Sequence, residues 1–358
     1  MNIFLTGCTG FLGGKLLKNL LHGTTHHVYV LARNKQKAEQ LKNSFPNNQQ
    51  ERIHIYIGDI TLSNCGLNDN DINELEGKVN CFYHAAALVK FDLHLKNELF
   101  SINYDGTKNA LELAKMLRVE KFFYISTAYT VGQKLVGTEQ LYSPTDTYNN
   151  PYEESKVQSE HLVFTYANDM EVSIFRPSII VGDSKTGEAD SEFTLYGFMR
   201  ALDIFKRKTM RKKGNENKHY RVIANNTGTS NFVPVDYVSD VLAMAIDKAE
   251  PNKIYNITNP NPPSNLELLS MLKHALKFEQ LSIVNNDTIY ELSVEEEKLN
   301  GMVDVFKVYL SRNITFKDDN TQKLISNSPI HHLSMSKTTI QMIIDAYFDI
   351  SPKTSSEF

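Results

Sequence analysis

The chain has 358 residues, 41% hydrophobic and 22% charged, a balance that excludes a disordered or repetitive chain and allows one large or two closely joined domains with a sizeable core. A formal net charge of -4 gives no global attraction to nucleic acid or to an anionic membrane. Cys8, Cys65 and Cys81 form no even disulfide set and lack metal-ligand spacing, and no apolar run approaches the ~18 residues of a membrane span; no metal, no leader before the first strand and a reducing, cytoplasmic setting are expected.

Residues 3–5 form an apolar run that reads as a short buried strand. Gly7, Gly10 and Gly13 follow at the spacing GxxGxxG, and Leu12, Leu16, Leu17, Leu20 and Leu21 then recur with helical period. Glycine there permits positive φ, close approach of backbone to an anion and tight packing of helix on strand, while a helix N-terminus attracts a pyrophosphate. A dinucleotide is therefore expected on Gly7, Thr9, Gly10, Phe11, Leu12 and Gly13.

A second strand is predicted over His27–Ala32, ending at Arg33 and Lys35. A carboxylate at this strand end would bind the ribose hydroxyls of NAD, whereas arginine accommodates the 2′-phosphate of NADP, so NADP(H) is favoured over NAD(H). The alternative is that Arg33 only covers the adenine or sits in solvent. The third strand, Ile53–Ile57, ends at Gly58, Asp59 and Ile60, a polar turn suited to the adenine edge unless Asp59 merely caps the next turn. The fourth is predicted over residues 79–83; His84 reads as a packing residue, and the small Ala85, Ala86 and Ala87 would let a cofactor lie against backbone. One long amphipathic helix is expected over residues 95–117, then a fifth strand over Lys121–Ile125. Such alternation predicts an α/β fold with a parallel sheet, helices on both faces and ligands beyond the carboxyl ends of the strands.

The fifth strand runs into Ser126 and Thr127. Farther on, Asn150 and Pro151 mark a helix start, with Tyr152 and Lys156 on one face of the helix. An ammonium beside a phenol would draw its pKa of about 10 toward neutrality for proton exchange, with Thr127 bonding the same substrate oxygen. The competing reading is an exposed tyrosine beside a solvated lysine. Within residues 205–221, Lys206, Arg207, Lys208, Arg211, Lys212 and Lys213 crowd together, either as a solvated face or as a seat for coenzyme A phosphates, a nucleotide sugar or an acidic carrier protein.

Taken together, Gly7-Cys8-Thr9-Gly10-Phe11-Leu12-Gly13, Gly58-Asp59-Ile60 and the trio Thr127, Tyr152 and Lys156 resemble the extended short-chain dehydrogenases/reductases. His84-Ala85-Ala86-Ala87 with Phe91-Asp92, Ser126-Thr127-Ala128-Tyr129, and the run from Arg176-Pro177-Ser178 through Gly187 resemble a narrower branch. That branch comprises the fatty acyl-CoA reductases and the thioester reductase domains of carboxylic acid reductases and peptide synthetases. The resemblance implies a Rossmann-like doubly wound parallel sheet over residues 1–178 plus 232–258, with a smaller substrate-binding lobe over 179–231 plus 259–358. It implies Thr127, Tyr152 and Lys156 as catalytic residues and adds Asn103, Pro177, Ser178 and Ile180 to the cofactor contacts, with Arg176-Pro177-Ser178 following the sixth strand past the nicotinamide. The activity implied is NADP(H)-dependent reduction of an acyl thioester, as coenzyme A ester or on an acyl carrier protein, to aldehyde or alcohol. The alternatives are an NAD-dependent nucleotide-sugar epimerase or dehydratase and a cofactor-sensing regulator. Unlike in many relatives of that branch, no adenylation domain, carrier domain or membrane anchor is expected, and the acyl donor is expected to come from another protein or from solution.

Overall fold

The computed structural model describes residues 1–190, 194–211, 218–285, 291–310 and 312–350. It divides into two compact units, the first built from Met1–Ser178, Val235–Thr258 and Phe316–His332, the second from Ile179–Pro234, Asn259–Thr315 and Leu333–Phe358. Two segments depart from the sequence expectation: residues 232–234 lie with the second unit and 316–332 with the first.

The first unit runs β1 (Asn2–Thr6), α1 (Phe11–Leu21), β2 (His27–Ala32), α2 (Lys35–Asn43), α3 (Asn47–Gln50), β3 (Ile53–Ile57), α4 (Asp69–Leu75), β4 (Cys81–His84), α5 (Lys96–Phe100), α6 (Gly106–Met116), β5 (Lys121–Ile125), β6 (Val136–Gly137), α7 (Pro151–Thr165) and β7 (Glu171–Pro177). Beyond Ser178 come β8 (Ile179–Val181), α8 (Leu195–Met210), β9 (Tyr220–Ile223) and β10 (Phe232–Pro234) of the second unit. The chain returns to the first unit as α9 (Val235–Lys248) and β11 (Lys253–Ile257), and leaves it for α10 (Asn265–Leu276), β12 (Leu281–Val284) and α11 (Val294–Leu310). It then adds α12 (Asp319–Ile325) to the first unit and α13 (Lys337–Ile350) to the second.

The first unit holds a seven-stranded sheet in the order β11-β7-β5-β4-β1-β2-β3, every neighbouring pair parallel. The order reverses between β1 and β4, the place where a doubly wound sheet opens a crevice at its carboxyl edge. Register stacks Phe4 on Phe82 and Phe82 on Phe122, with ring centroids 4.8 and 5.2 Å apart. All three rings are fully buried, each contributing ~1.5–3 kcal/mol of transfer free energy. The edge strand β11 is closed by Glu139, whose carboxylate accepts from the Asn256 N–H at 2.9 Å and from Asn320 N–H at 2.6 Å as α12 begins.

Two expectations about elements change. The fourth strand begins at Cys81, because Asn80 N–H bonds the Asn2 carbonyl at the entry to the sheet and ladder pairing starts one residue later. The helix expected over 95–117 is interrupted by a π-helical segment, Ser101–Asp105, between α5 and α6. Gly106 N–H reaches back five residues to the Ser101 carbonyl, and the wide turn carries Asn103 inward.

In the second unit β8 pairs with β10 and β9 with β12, both parallel. Helix α10 starts with a capping box of Ser264 and Glu267. Phe205, Tyr220 and Phe278 form one buried aromatic cluster.

Candidate active site

Strand β1 ends because Gly7 takes φ of 78°, a conformation open to glycine. A Cβ on Gly7 would lie 2.7 Å from the Ala86 nitrogen, and one on Gly13 2.1 Å from the Gly7 carbonyl oxygen. Both obstacles are backbone, so the turn tolerates no larger residue at either position. Gly10 N–H bonds Gly7 O at 3.0 Å, and α1 begins with neither a side-chain cap nor an acidic residue in its first turn. Thr9 and Gly10 are exposed and Phe11 and Leu12 half-buried around this open helix end. Free first-turn N–H groups at the positive end of a helix dipole form a seat for an anion, and the cradle fits a dinucleotide pyrophosphate.

Because the sheet is parallel, the other strand ends converge on the same edge. Thr6 Oγ1 stands 2.9 Å from His84 Nδ1 and accepts from Ala86 N–H at 3.2 Å, while His84 Nε2 meets Thr107 Oγ1 at 3.2 Å. Burial, reinforced by the Lys156 charge, pushes His84 down to about 3, so it is a neutral link between β1, β4 and α6, in keeping with a packing role. Ala85 and Ala86 pack on Gly7 and Ala87 is exposed. At the end of β2, Arg33 and Lys35 are exposed with no hydrogen bond or ion pair among the described residues, and Asn34 caps α2. Asp59 accepts from the Thr61 N–H and hydroxyl, both at 2.9 Å, closing its own turn. Ile60 packs under Gly106, whose Cβ would meet it at 2.9 Å.

Helix α7 begins where Asn150 accepts from Glu153 N–H at 3.0 Å, with Pro151 in the first turn; the Glu153 carboxylate answers by accepting from Asn149 N–H at 3.0 Å. This start buries Tyr152 and Lys156, rather than leaving them on a solvated face. Thr127 Oγ1 accepts from Tyr129 N–H at 3.2 Å, and its side chain draws the Tyr152 phenol down against burial. Lys156 Nζ donates to the Ile125 carbonyl at 2.8 Å and stands 4.7 Å above the Tyr124 ring. Burial shifts the two groups in opposite directions. It pushes the Tyr152 phenol up, helped by the Glu153 carboxylate, and pushes Lys156 down to about 7 against the pull of Glu160. Desolvation thus opposes the expected drift of Tyr152 toward phenolate, while Lys156 is hydrogen-bonded to the end of β5.

Other expected positions change in detail. Both amide donors of Asn103 are taken by the protein, one by Leu88 O at 3.0 Å and one by Ser155 Oγ at 3.1 Å, while its oxygen accepts from Leu88 N–H at 2.8 Å. It therefore clamps the loop after β4 to α7. Arg176 lies inside β7, not after it, and is fully buried. Its guanidinium binds Glu160 through Nε at 2.7 Å and Nη2 at 2.5 Å, and Ser126 Oγ donates to the same carboxylate at 2.6 Å. Pro177 ends β7 opposite Ile257, and Ser178 N–H bonds Ile257 O at 3.0 Å. The buried Ser178 hydroxyl has no partner among the described residues, while Ile180 belongs to β8 in the second unit. Glu160 was missed by the sequence reading, although it continues the four-residue spacing of Tyr152 and Lys156 along α7. Phe91, part of the segment that resembles the acyl-reductase branch, packs its ring edge-to-face on Tyr152, centroids 5.8 Å apart.

A family model described as "Male sterility protein", of the NAD-binding kind, matches residues 5–242. The chain belongs to this family. Male sterility proteins of this kind fall among the extended short-chain, NAD(P)-dependent oxidoreductases. Among relatives, the chain is 26% identical over 316 residues to a linear gramicidin synthase of Brevibacillus parabrevis, covering 83% of this chain and 6% of that protein. It is 27% identical over 337 residues to fatty acyl-CoA reductase 1 of Rattus norvegicus, covering 79% of this chain and 63% of that one. The chain therefore spans less than two thirds of either relative. In fold it is similar to the terminal R domain of the myxalamid biosynthetic pathway, with TM-score 0.77 and 23% identity over 97% of this chain and 89% of that one.

In this family member the basic run is partly spent on structure. Lys206 Nζ donates to the Leu276 carbonyl at 2.5 Å, and Arg207 pairs with Asp203. Lys208 and Arg211 are exposed, and Lys212 and Lys213 lie outside the described residues. No helix among the described residues is long and apolar enough to cross a membrane.

Proposed function

We propose that the chain is an NADP(H)-dependent reductase of acyl thioesters, presented as coenzyme A esters or on a carrier protein, yielding aldehyde or alcohol. The observation that carries this reading is the grouping of Thr127, Tyr152 and Lys156, all buried, at the sheet edge that bears the open glycine turn. Gly7, Gly10 and Gly13 with the start of α1 would hold the pyrophosphate, and Arg33 and Lys35, in a site with no carboxylate at the end of β2, the 2′-phosphate. Reduced nicotinamide, when bound, supplies hydride for the carbonyl carbon. Tyr152 and Thr127 hydrogen-bond the oxyanion that develops as the carbonyl is reduced, and Lys156 would hold the nicotinamide ribose. Expulsion of the thiolate then gives the aldehyde, and a second reduction gives the alcohol.

The upward push on Tyr152 supports the reductive direction. Reduction needs a phenol that carries its proton, whereas oxidation of a sugar hydroxyl needs phenolate first. The likeness to a fatty acyl-CoA reductase supports an acyl substrate. Replacement of Tyr152 by phenylalanine tests the assignment: turnover of acyl-CoA should fall at least a hundredfold, about 2.7 kcal/mol of transition-state stabilisation, with NADPH affinity nearly unchanged. Retention of a tenth or more of kcat would remove Tyr152 from the mechanism.

A further inference from the structure

The segment between β4 and α5 is held more firmly than a connecting loop requires. Asn103, buried on the π-helical turn, fixes both backbone polar groups of Leu88. Three residues beyond Phe91, His94 N–H is bound by the Asp92 carboxylate at 2.9 Å, which starts a short helical turn. Between these two anchors stands Phe91, half-buried, its ring edge-to-face with Tyr152 at 5.8 Å. Leu93 is 68% exposed on the same segment. An aromatic ring kept partly in water against the buried ring of Tyr152 gives up transfer free energy that full burial would return, so its placement points to a contact made during the reaction.

We propose that Phe91 is a specificity-determining residue: its ring, set against Tyr152 by the Asn103 clamp on Leu88, forms the apolar wall on which the carbons next to the reacting carbonyl lie. This rests on the thioester reductase reading and names the part of the acyl group that is recognised. A carbonyl oxygen bonded to the Tyr152 hydroxyl carries its hydrocarbon substituent within reach of a ring packed on that same tyrosine. The wall offers dispersion contact and exclusion of water, but no hydrogen bond to a sugar hydroxyl. Such contact is the same in the ground and transition states, so it acts on KM.

The test is a comparison of wild type, Phe91→Ala and Phe91→Leu in NADPH-dependent reduction of acyl-CoA thioesters from acetyl to palmitoyl, with thermal midpoint and NADPH affinity measured for each. Phe91→Ala should lower kcat/KM for octanoyl and palmitoyl substrates roughly tenfold or more, mainly through KM, and that for acetyl by less than about threefold. Phe91→Leu should restore most of the loss. An equal fall for every chain length, a fall confined to kcat, or no change would overturn the proposal. A wild type that reduces none of the thioesters would refute the reductase reading itself and this inference with it, whereas a wild type that reduces them without dependence on Phe91 refutes only the inference.

Discussion

Lys156 offers a stability effect opposite in sign to its effect on activity. An unfolded lysine stays charged up to about pH 10.4, whereas in the fold burial pushes Lys156 down to about 7. Between these values the unfolded chain binds more protons than the folded one, so this group makes stability rise with pH. Its penalty is complete below the folded pKa and vanishes above the unfolded one. At pH 7 a shift of this size corresponds to about 4 kcal/mol. Against that stand the bond from Nζ to Ile125 O and the contact with the Tyr124 ring, together worth ~1–3 kcal/mol. Lys156→Met should therefore stabilise the protein by roughly 1–3 kcal/mol at pH 7, lose that advantage toward pH 10 and abolish turnover. Urea unfolding of both proteins across this pH range reads it directly. A variant less stable than wild type at pH 7, or a difference that does not move with pH, would refute the reasoning.

Gly13→Ala drives a methyl to 2.1 Å from the Gly7 carbonyl oxygen, so α1 must shift; a loss of ~1–3 kcal/mol in thermal unfolding and a larger loss of NADPH affinity by calorimetric titration are expected. Arg33→Ala should cost NADPH ~1.5–3 kcal/mol of binding and leave NADH unaffected. Equal wild-type affinity for the two cofactors would count against the role given to Arg33. Glu160→Gln strands the buried Arg176 charge and should cost ~3–5 kcal/mol in urea unfolding, much of it recovered when Arg176→Met is added. Failure of the double variant to regain stability would mean that the pair acts through more than its charges.

Local rules reach far along this chain. Glycine spacing, strand alternation and the Asn150-Pro151 helix start made β1, α1, the parallel sheet and the start of α7 legible, because each is decided by neighbouring residues. What long-range contact decides was not legible. Arg176 reads as a loop cation until Glu160 arrives from α7 to take it. Asn103 sits in an amphipathic pattern that gives no sign of a π-turn, and its partner Leu88 belongs to a distant loop. The charge states of Tyr152 and Lys156 could not be read from their spacing, since burial by the sheet outweighs their proximity. The first unit's late segment, Phe316–His332, likewise joins by contacts such as that of Glu139 with Asn320.

The release of free thiol bears most directly on the claim that a thioester is reduced. Purified protein would be mixed with NADPH and an acyl-CoA, and NADPH oxidation, coenzyme A thiol and carbonyl or alcohol product followed together. One thiol per acyl group is expected, with one NADPH consumed per aldehyde or two per alcohol, and none of these signals in Tyr152→Phe. Thiol release without NADPH oxidation, or interconversion of a nucleotide sugar with no net change in cofactor, would contradict it.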